Sequence, residues 1–256
     1  MPELDFFQLT DPGCVRAENE DAVGHWAHED GLCFEVADGL GGHNAGEVAS
    51  SLALEVISEE MERAPGSWPV AKRLRRAVQE ANLRIYNKSL AVVDLRGMCT
   101  TLTASALVGG ELVAAHVGDC RLFMLREGAL SQLTKDHTWV GEQVQYGLLT
   151  PERARNHPRR SQLTRSLGRE LIVGIDVLAM PIQAGDVLLQ CSDGMHTLIT
   201  ESEMVATMAA STPEKGCRAM IELARERGAK DNVSIQIATV VSCPAPAARP
   251  RWWFMR

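Results

Sequence analysis

Four aspartates in this chain stand where an apolar, strand-like run gives way to a turn, and that recurrence narrows the folds open to it. Asp38 follows the alternating residues Leu32, Phe34 and Val36 and precedes Gly39-Leu40-Gly41-Gly42-His43. Asp119 lies in the tight connection Val117-Gly118-Asp119-Cys120-Arg121, Asp193 follows a strand predicted over 186–191, and Asp231 precedes one predicted over 234–241. Taken alone, the stretch around Asp38 reads equally as a strand end and a Gly-rich turn into a helix. Four such ends on one edge of a layered β core would gather their carboxylates, and Glu20 and Asp21 could join them. Period-two alternation is the basis for the strands.

Gathering acids is costly. Two carboxylates ~4 Å apart repel by roughly 4 kcal/mol at an effective dielectric of 20, so several together cannot stay ionised without cations. Aspartate-rich, oxygen-only sites suit hard ions such as Mg²⁺ and Mn²⁺, whereas zinc sites recruit His or Cys. A two-metal hydrolase follows as a hypothesis, with ions roughly 3.5–4 Å apart holding and acidifying a bridging water in line with a phosphorus atom. Arg16 is the matching phosphate clamp, because a guanidinium donates two parallel hydrogen bonds and keeps its charge. Cys120 and Arg126 have the Cys-x₅-Arg spacing of cysteine-dependent phosphatases, but the residues between them alternate like a strand and include no glycine.

The rest of the chain supplies the scaffold. Residues 13–21 lack both periodicities and concentrate charge, which marks either a site or a solvated loop. Val48, Leu52, Val56, Ile57 and Met61 predict an amphipathic helix ending before Pro65. A second helix is predicted over 70–90, with Lys72, Arg73, Arg75 and Arg76 on its solvated side. Strands over 102–108, 111–117 and 121–125 follow, the first two joined by Gly109-Gly110. Residues 134–168 are polar, with a short helix opened by Thr150-Pro151, and read either as a mobile insertion over the site or as ordinary surface. Thr200-x-x-Glu203 is a capping box, and a helix opened by Thr212-Pro213 should stop at Gly228.

At 256 residues with no Ser/Gly-rich linker the chain reads as one domain, 1–242, followed by a Pro-, Ala- and Arg-rich tail, 243–256, ending in aromatics. The tail could dock a partner or a membrane surface, pack on its own domain, or be disordered. Seven cysteines without a Cys-x-x-Cys pair point to a reducing, cytoplasmic setting. No apolar run approaches the ~18 residues of a membrane span. A net charge of -7 argues against nucleic acid as a partner.

Taken in order, the motifs Arg16-x-x-Asn19-Glu20-Asp21, Asp38-Gly39-x-Gly41-Gly42-His43, Gly97-Met98-x-Thr100-Thr101, Gly118-Asp119-x-Arg121, Leu133-Thr134-x-Asp136-His137, His157-Pro158 with Leu163-Thr164-x-x-Leu167-Gly168, Ser192-Asp193-Gly194 and Asp231-Asn232 resemble the metal-dependent Ser/Thr protein phosphatases of type 2C in their compact bacterial form. The resemblance implies an α+β fold, a four-layer αββα sandwich of two antiparallel sheets with helices on both outer faces. It implies that Asp38 bridges two Mn²⁺ or Mg²⁺ ions, that the Gly39 carbonyl binds one, that Asp193 and Asp231 hold the other, and that Asp119 and Asp193 form a weaker third site. Glu20 and Asp21 would orient metal-bound waters, Arg16 would bind phosphate, and residues 138–160 would be the flap. The implied reaction is hydrolysis of phosphoserine and phosphothreonine on proteins by a monomer opposing a bacterial Ser/Thr kinase, with type VI secretion control as one setting.

Many relatives carry a histidine directly after the Asp-Gly pair as general acid, where this chain has Leu40. His43 is the candidate catalytic replacement, with ordering of the Gly-rich turn as its alternative role. Cys120 and His196 are further departures, both expected to be structural. Two rival readings share the fold: a catalytically silent phosphoprotein-binding regulator, and a phosphatase for small phosphate esters.

Overall fold

The computed structural model describes residues 2–28, 31–42 and 45–243, so the catalytic candidate His43 and the predicted tail beyond Cys243 lie outside the described residues. The strands are β1 (Glu3–Asp11), β2 (Asp21–His28), β3 (Gly31–Leu40), β4 (Cys99–Thr100), β5 (Leu102–Val108), β6 (Glu111–Val117), β7 (Arg121–Arg126), β8 (Ala129–Gln132), β9 (Asp176–Pro181), β10 (Val187–Cys191) and β11 (Val233–Ser242). The helices are α1 (Ala45–Arg63), α2 (Val70–Ala91), α3 (Trp139–Gln145), α4 (Pro151–Arg155), α5 (Asp193–His196), α6 (Glu201–Ala210) and α7 (Pro213–Glu226). Every strand pairing is antiparallel. One sheet runs β1-β11-β10-β7-β8 and the other β2-β3-β5-β6-β9, with β4 added to β3.

Because side chains alternate faces along a strand, each sheet buries two different sets of residues. On β3, Cys33 and Ala37 meet Ala49, Val56 and Ile57 of α1, while Phe34 points to the opposite sheet. On β10, Val187, Leu189 and Cys191 meet the helix side, where α6 and α7 contribute Met204, Met208, Met220 and Ile221, while Leu188 joins Phe34, Leu107, Leu112 and Val240 between the sheets. The result is the expected αββα sandwich with three apolar layers.

The layer between the sheets is graded along the strands. Its apolar residues occupy the end away from the strand-end aspartates. Toward them it turns polar: Ser105 Oγ donates to Gln190 Oε1 at 2.6 Å, Gln190 Nε2 donates to the Thr103 carbonyl at 2.9 Å and to Gln236 Oε1 at 3.1 Å, and Gln236 Nε2 donates to Gln8 Oε1 at 2.8 Å. Ser105, Gln190 and Gln236 are all buried. A buried amide is tolerable only when its hydrogen bonds are made, and here each amide links strands of both sheets or neighbours in one.

Local chemistry sets the helix ends. Thr200 accepts from the Glu203 N–H while Glu203 accepts from the Thr200 N–H, closing the capping box. Helix α7 stops as predicted, with Gly228 at φ +74°. The predicted second helix is α2, with one correction: Arg73 is buried rather than solvated, and its Nη2 donates to the Met61 carbonyl at 2.5 Å. That carbonyl lies in the last turn of α1, where intrahelical donors run out, so the guanidinium caps the neighbouring helix.

Candidate metal centre

Strand β3 continues two residues past Asp38, so this aspartate sits inside a strand rather than at its end. Its N–H donates to Thr101 Oγ1 at 3.0 Å, and its carbonyl accepts from Thr100 Oγ1 and from the Thr101 N–H, each at 2.9 Å. Asp21 faces it directly across the β2–β3 pairing. The Asp21 carboxylate accepts the Ser192 hydroxyl at 2.7 Å, and Ser192 Oγ in turn accepts the Ser234 N–H at 3.0 Å. One short polar side chain thus ties an acid of one sheet to a strand of the other.

The irregular segment after β1 is pinned by Asn232. Its Oδ1 accepts the Glu20 N–H at 2.9 Å, and its Nδ2 donates to the carbonyls of Pro12 and Glu18 at 3.1 and 2.9 Å. The Glu20 carbonyl accepts from Ser50 Oγ at 2.6 Å and from the Gly39 N–H at 3.1 Å. A side chain at position 39 would run into the carbonyls of Gly46 and Glu20, so the chain needs glycine there to pass between the loop and α1.

Electrostatically the cluster is short of positive charge. Burial first, and then the charges of Asp21, Asp193, Asp119 and Asp231, hold the Asp38 carboxyl well above the usual carboxylate range. Burial lifts Asp21 to about 7 against the hydrogen bonds from Ser234 and Ser192, and burial with the Asp231 charge lifts Asp193 to about 6. Asp119 is raised well above its ordinary range by burial and by Asp193 and Asp136, with Arg121 opposing. All-oxygen and mutually repelling, with Asp21 and Asp119 buried and Asp38, Asp193 and Asp231 partly exposed, this donor set fits hard divalent ions, which supply the missing countercharge. Among the described residues, no three His, Cys, Asp or Glu side chains already close on a common point tightly enough to define an ion position.

Residues 15–222 match the family model described as protein phosphatase 2C. The chain belongs to the protein phosphatase 2C family. It is similar to the serine/threonine phosphatase stp of Listeria monocytogenes, 36% identical over 231 residues that cover 88% of this chain and 92% of stp. The catalytic domain of the phosphatase PstP, solved in complex with two manganese ions, superposes with a TM-score of 0.83 at 35% identity, covering 93% of this chain and 99% of that one. PppA, described as a key regulatory component of the type VI secretion system in Pseudomonas aeruginosa, superposes with a TM-score of 0.78 at 29% identity, covering 92% of this chain and 97% of PppA. The chain is accordingly a metal-dependent serine/threonine protein phosphatase, of the kind that uses Mn²⁺ or Mg²⁺.

In this phosphatase the Asp119 turn is held from two sides. The His196 Nε2 lies 3.0 Å from the Asp119 carbonyl, and burial, followed by the Arg121 charge, lowers His196 to about 3, so the ring is neutral. The Gly118 N–H donates to His137 Nδ1 at 3.0 Å, which leaves the His137 Nε2–H to reach Asp176 Oδ2 at 3.2 Å. Arg121 is held by Asp136 through two nitrogens, at 2.9 and 2.6 Å. Arg16, the expected phosphate clamp, lies half exposed with Nη2 at 3.1 Å from Asp231. The Cys120 decoy is laid to rest by geometry: the run to Arg126 is the strand β7, and burial raises the Cys120 thiol well above its ordinary range.

The structure brings Asp21, Asp38, Asp119, Asp193 and Asp231 near one another and shows groups to which the sequence assigned no role holding the surrounding backbone and carboxylates, namely Thr100, Thr101, Ser192 and Asn232. Their signal in the sequence is membership of the quoted motifs, with Ser192 and Asn232 directly beside Asp193 and Asp231. Residues 138–160 contain α3 and α4. Trp139 of α3 stacks on His157 with ring centroids 4.9 Å apart, Arg159 lies over the same indole, and the Trp139 N–H donates to the Gln162 carbonyl at 2.8 Å.

Proposed function

We propose that Asp38 would be shared by two divalent ions, with the Gly39 carbonyl helping to hold one and Asp193 and Asp231 the other, and that Asp119 and Asp193 would offer a weaker third site. When bound, the ions supply Lewis-acid polarisation of the phosphate and a water acidic enough to lose a proton near neutral pH. The chain's own residues orient the reactants. Glu20 and Asp21 accept hydrogen bonds from water at the edge of the cluster, and Arg16 swings its fork from Asp231 toward the phosphoryl oxygens. His43 remains the candidate proton donor to the leaving hydroxyl, since Leu40 has no proton to give. The observation that carries this reading is the field at Asp38, where four other aspartates act on one half-buried carboxyl.

The reaction is hydrolysis of phosphoserine and phosphothreonine on proteins, carried out in the cytoplasm by a monomer whose residues 1–242 form one catalytic unit and whose residues 138–160 serve as a flap. Such an activity reverses a Ser/Thr kinase, and the likeness to PppA supports a setting in type VI secretion control. The test is hydrolysis of p-nitrophenyl phosphate and a phosphothreonine peptide with Mn²⁺ and with EDTA. Chelator should abolish both activities, and Asp38→Asn and Asp193→Asn should lose most activity with unchanged circular dichroism. Full turnover in EDTA overturns the proposal.

A further inference from the structure

A groove of about 490 Å³ opens between α2 and the segment leading into β9, away from the aspartate cluster. Lys72, Arg75, Arg76 and Gln79 of α2 form one wall and residues 173–176 the other. Lys72, Arg75 and Arg76 are exposed. Among the described residues Arg76 meets one distant carboxylate, Glu80 at 3.8 Å, and Lys72 lies over the Trp68 ring, 3.6 Å from its centroid. Arg165 approaches the same floor, its Nη1 2.8 Å from Asp176 and 3.7 Å from where a side chain on Gly174 would begin. The acids nearby are already engaged, Asp176 with Arg165 and His137, and Glu80 with Arg84. In a chain of net charge -7 this is a concentrated cationic surface.

The groove is also physically joined to the aspartate cluster. Asp176 opens β9 in register with His116 near the end of β6, and His137 connects Asp176 to the Gly118 N–H next to Asp119. The segment forming its second wall is fastened to α2 by Asn82, whose Nδ2 donates to the carbonyls of Glu170 and Leu171 and whose Oδ1 accepts the Gly168 N–H. The same segment presents Leu171 and Ile172 to solvent, 53% and 73% exposed. A groove with a basic wall and exposed apolar residues beside it has the features of a peptide dock.

We infer that this groove binds an acidic segment of the substrate protein, with Lys72, Arg75 and Arg76 meeting its carboxylates while the phosphorylated residue lies at the aspartate cluster. The inference rests on the phosphatase reading for its consequence but not for the binding itself. The test compares a phosphothreonine peptide carrying a run of Asp and Glu with one carrying Asn and Gln instead, using the full chain and the triple variant Lys72→Gln, Arg75→Gln, Arg76→Gln. The variant should raise KM for the acidic peptide about tenfold, the order set by losing three exposed ion pairs, and leave KM for the neutral peptide unchanged. p-Nitrophenyl phosphate, which has no chain to dock, reports the aspartate cluster alone. Equal effects on both peptides, or none, overturn the inference.

A second arm needs no catalysis. A fluorescein-labelled, unphosphorylated acidic peptide should bind the wild-type chain at low salt, more weakly at high salt, and about tenfold more weakly to the triple variant. Displacement by inorganic phosphate at equal charge makes the groove an anion site and refutes a peptide dock. Failure of the wild type to hydrolyse any phosphopeptide refutes the proposed function, and this binding arm then decides the groove separately.

Discussion

Replacing Asp21 by Asn should make the metal-free protein more stable, by an amount that grows from pH ~4 and is complete above about neutral pH. Asp21 is buried opposite Asp38 and is held up to about 7. In the unfolded chain the same group titrates near ~3.9, and a difference of roughly three pH units is worth about 4 kcal/mol. The sign follows from linkage. Between pH ~4 and about 7 the folded state holds a proton that the unfolded state has released, so stability falls as pH rises through this window and the full cost is present above it. Asparagine keeps the shape and an acceptor for the Ser192 hydroxyl but carries no charge. Half the full value, about 2 kcal/mol, shifts the midpoint by ~4–8 °C in a chain of this size. The assay is thermal and urea unfolding in EDTA at pH 5 and pH 8. The variant should match the wild type at pH 5 within about 1 kcal/mol and exceed it at pH 8, and Mn²⁺ should narrow the gap by countering the wild-type charge. A gain independent of pH, or a loss at pH 8, refutes the reasoning.

Gln190→Leu should cost about 3 kcal/mol in urea unfolding, because Ser105, the Thr103 carbonyl and Gln236 lose a buried partner together. Gly39→Ala should cut phosphopeptide turnover at least tenfold and lower stability by about 1–3 kcal/mol, since the methyl group must displace the Glu20 and Gly46 carbonyls. Trp139→Ala should speed hydrogen exchange across residues 139–160 and raise KM for a phosphopeptide more than for p-nitrophenyl phosphate, as the indole holds His157 and Arg159. Unchanged exchange would show that the stack does not secure the segment.

Elements are legible in the sequence where one face is uniformly apolar. α2 begins at Val70 as predicted, and β5 and β6 run over the predicted residues. β1 and β2 are not legible in this way, and the reason lies in the graded layer. The inward residues of β1 go from Leu4 and Phe6 to Gln8 and Thr10, so half its buried face looks solvent-bound in sequence. Arg73 failed for the opposite reason, a charged side chain among three solvated neighbours whose role, capping α1, depends on a helix crossing that no local pattern encodes. The acids themselves were legible because carboxylates beside strands are rare and costly. Asn232 and Ser192 were not, since an amide or hydroxyl beside an aspartate costs nothing to leave in water and so carries little information until partners are known.

The grading also divides the molecule by how freely its sequence can drift. Where Phe34, Leu107, Leu188 and Ala238 meet, any set of side chains of similar total volume fills the space, because apolar contacts have no direction. Around Gln190, Gln236, Ser192 and Ser234, each donor must meet one acceptor, so a change at one position demands a matched change at another. Descendants of this chain can therefore renew one end of the sandwich residue by residue, whereas the end beside the aspartates can change only several residues at a time.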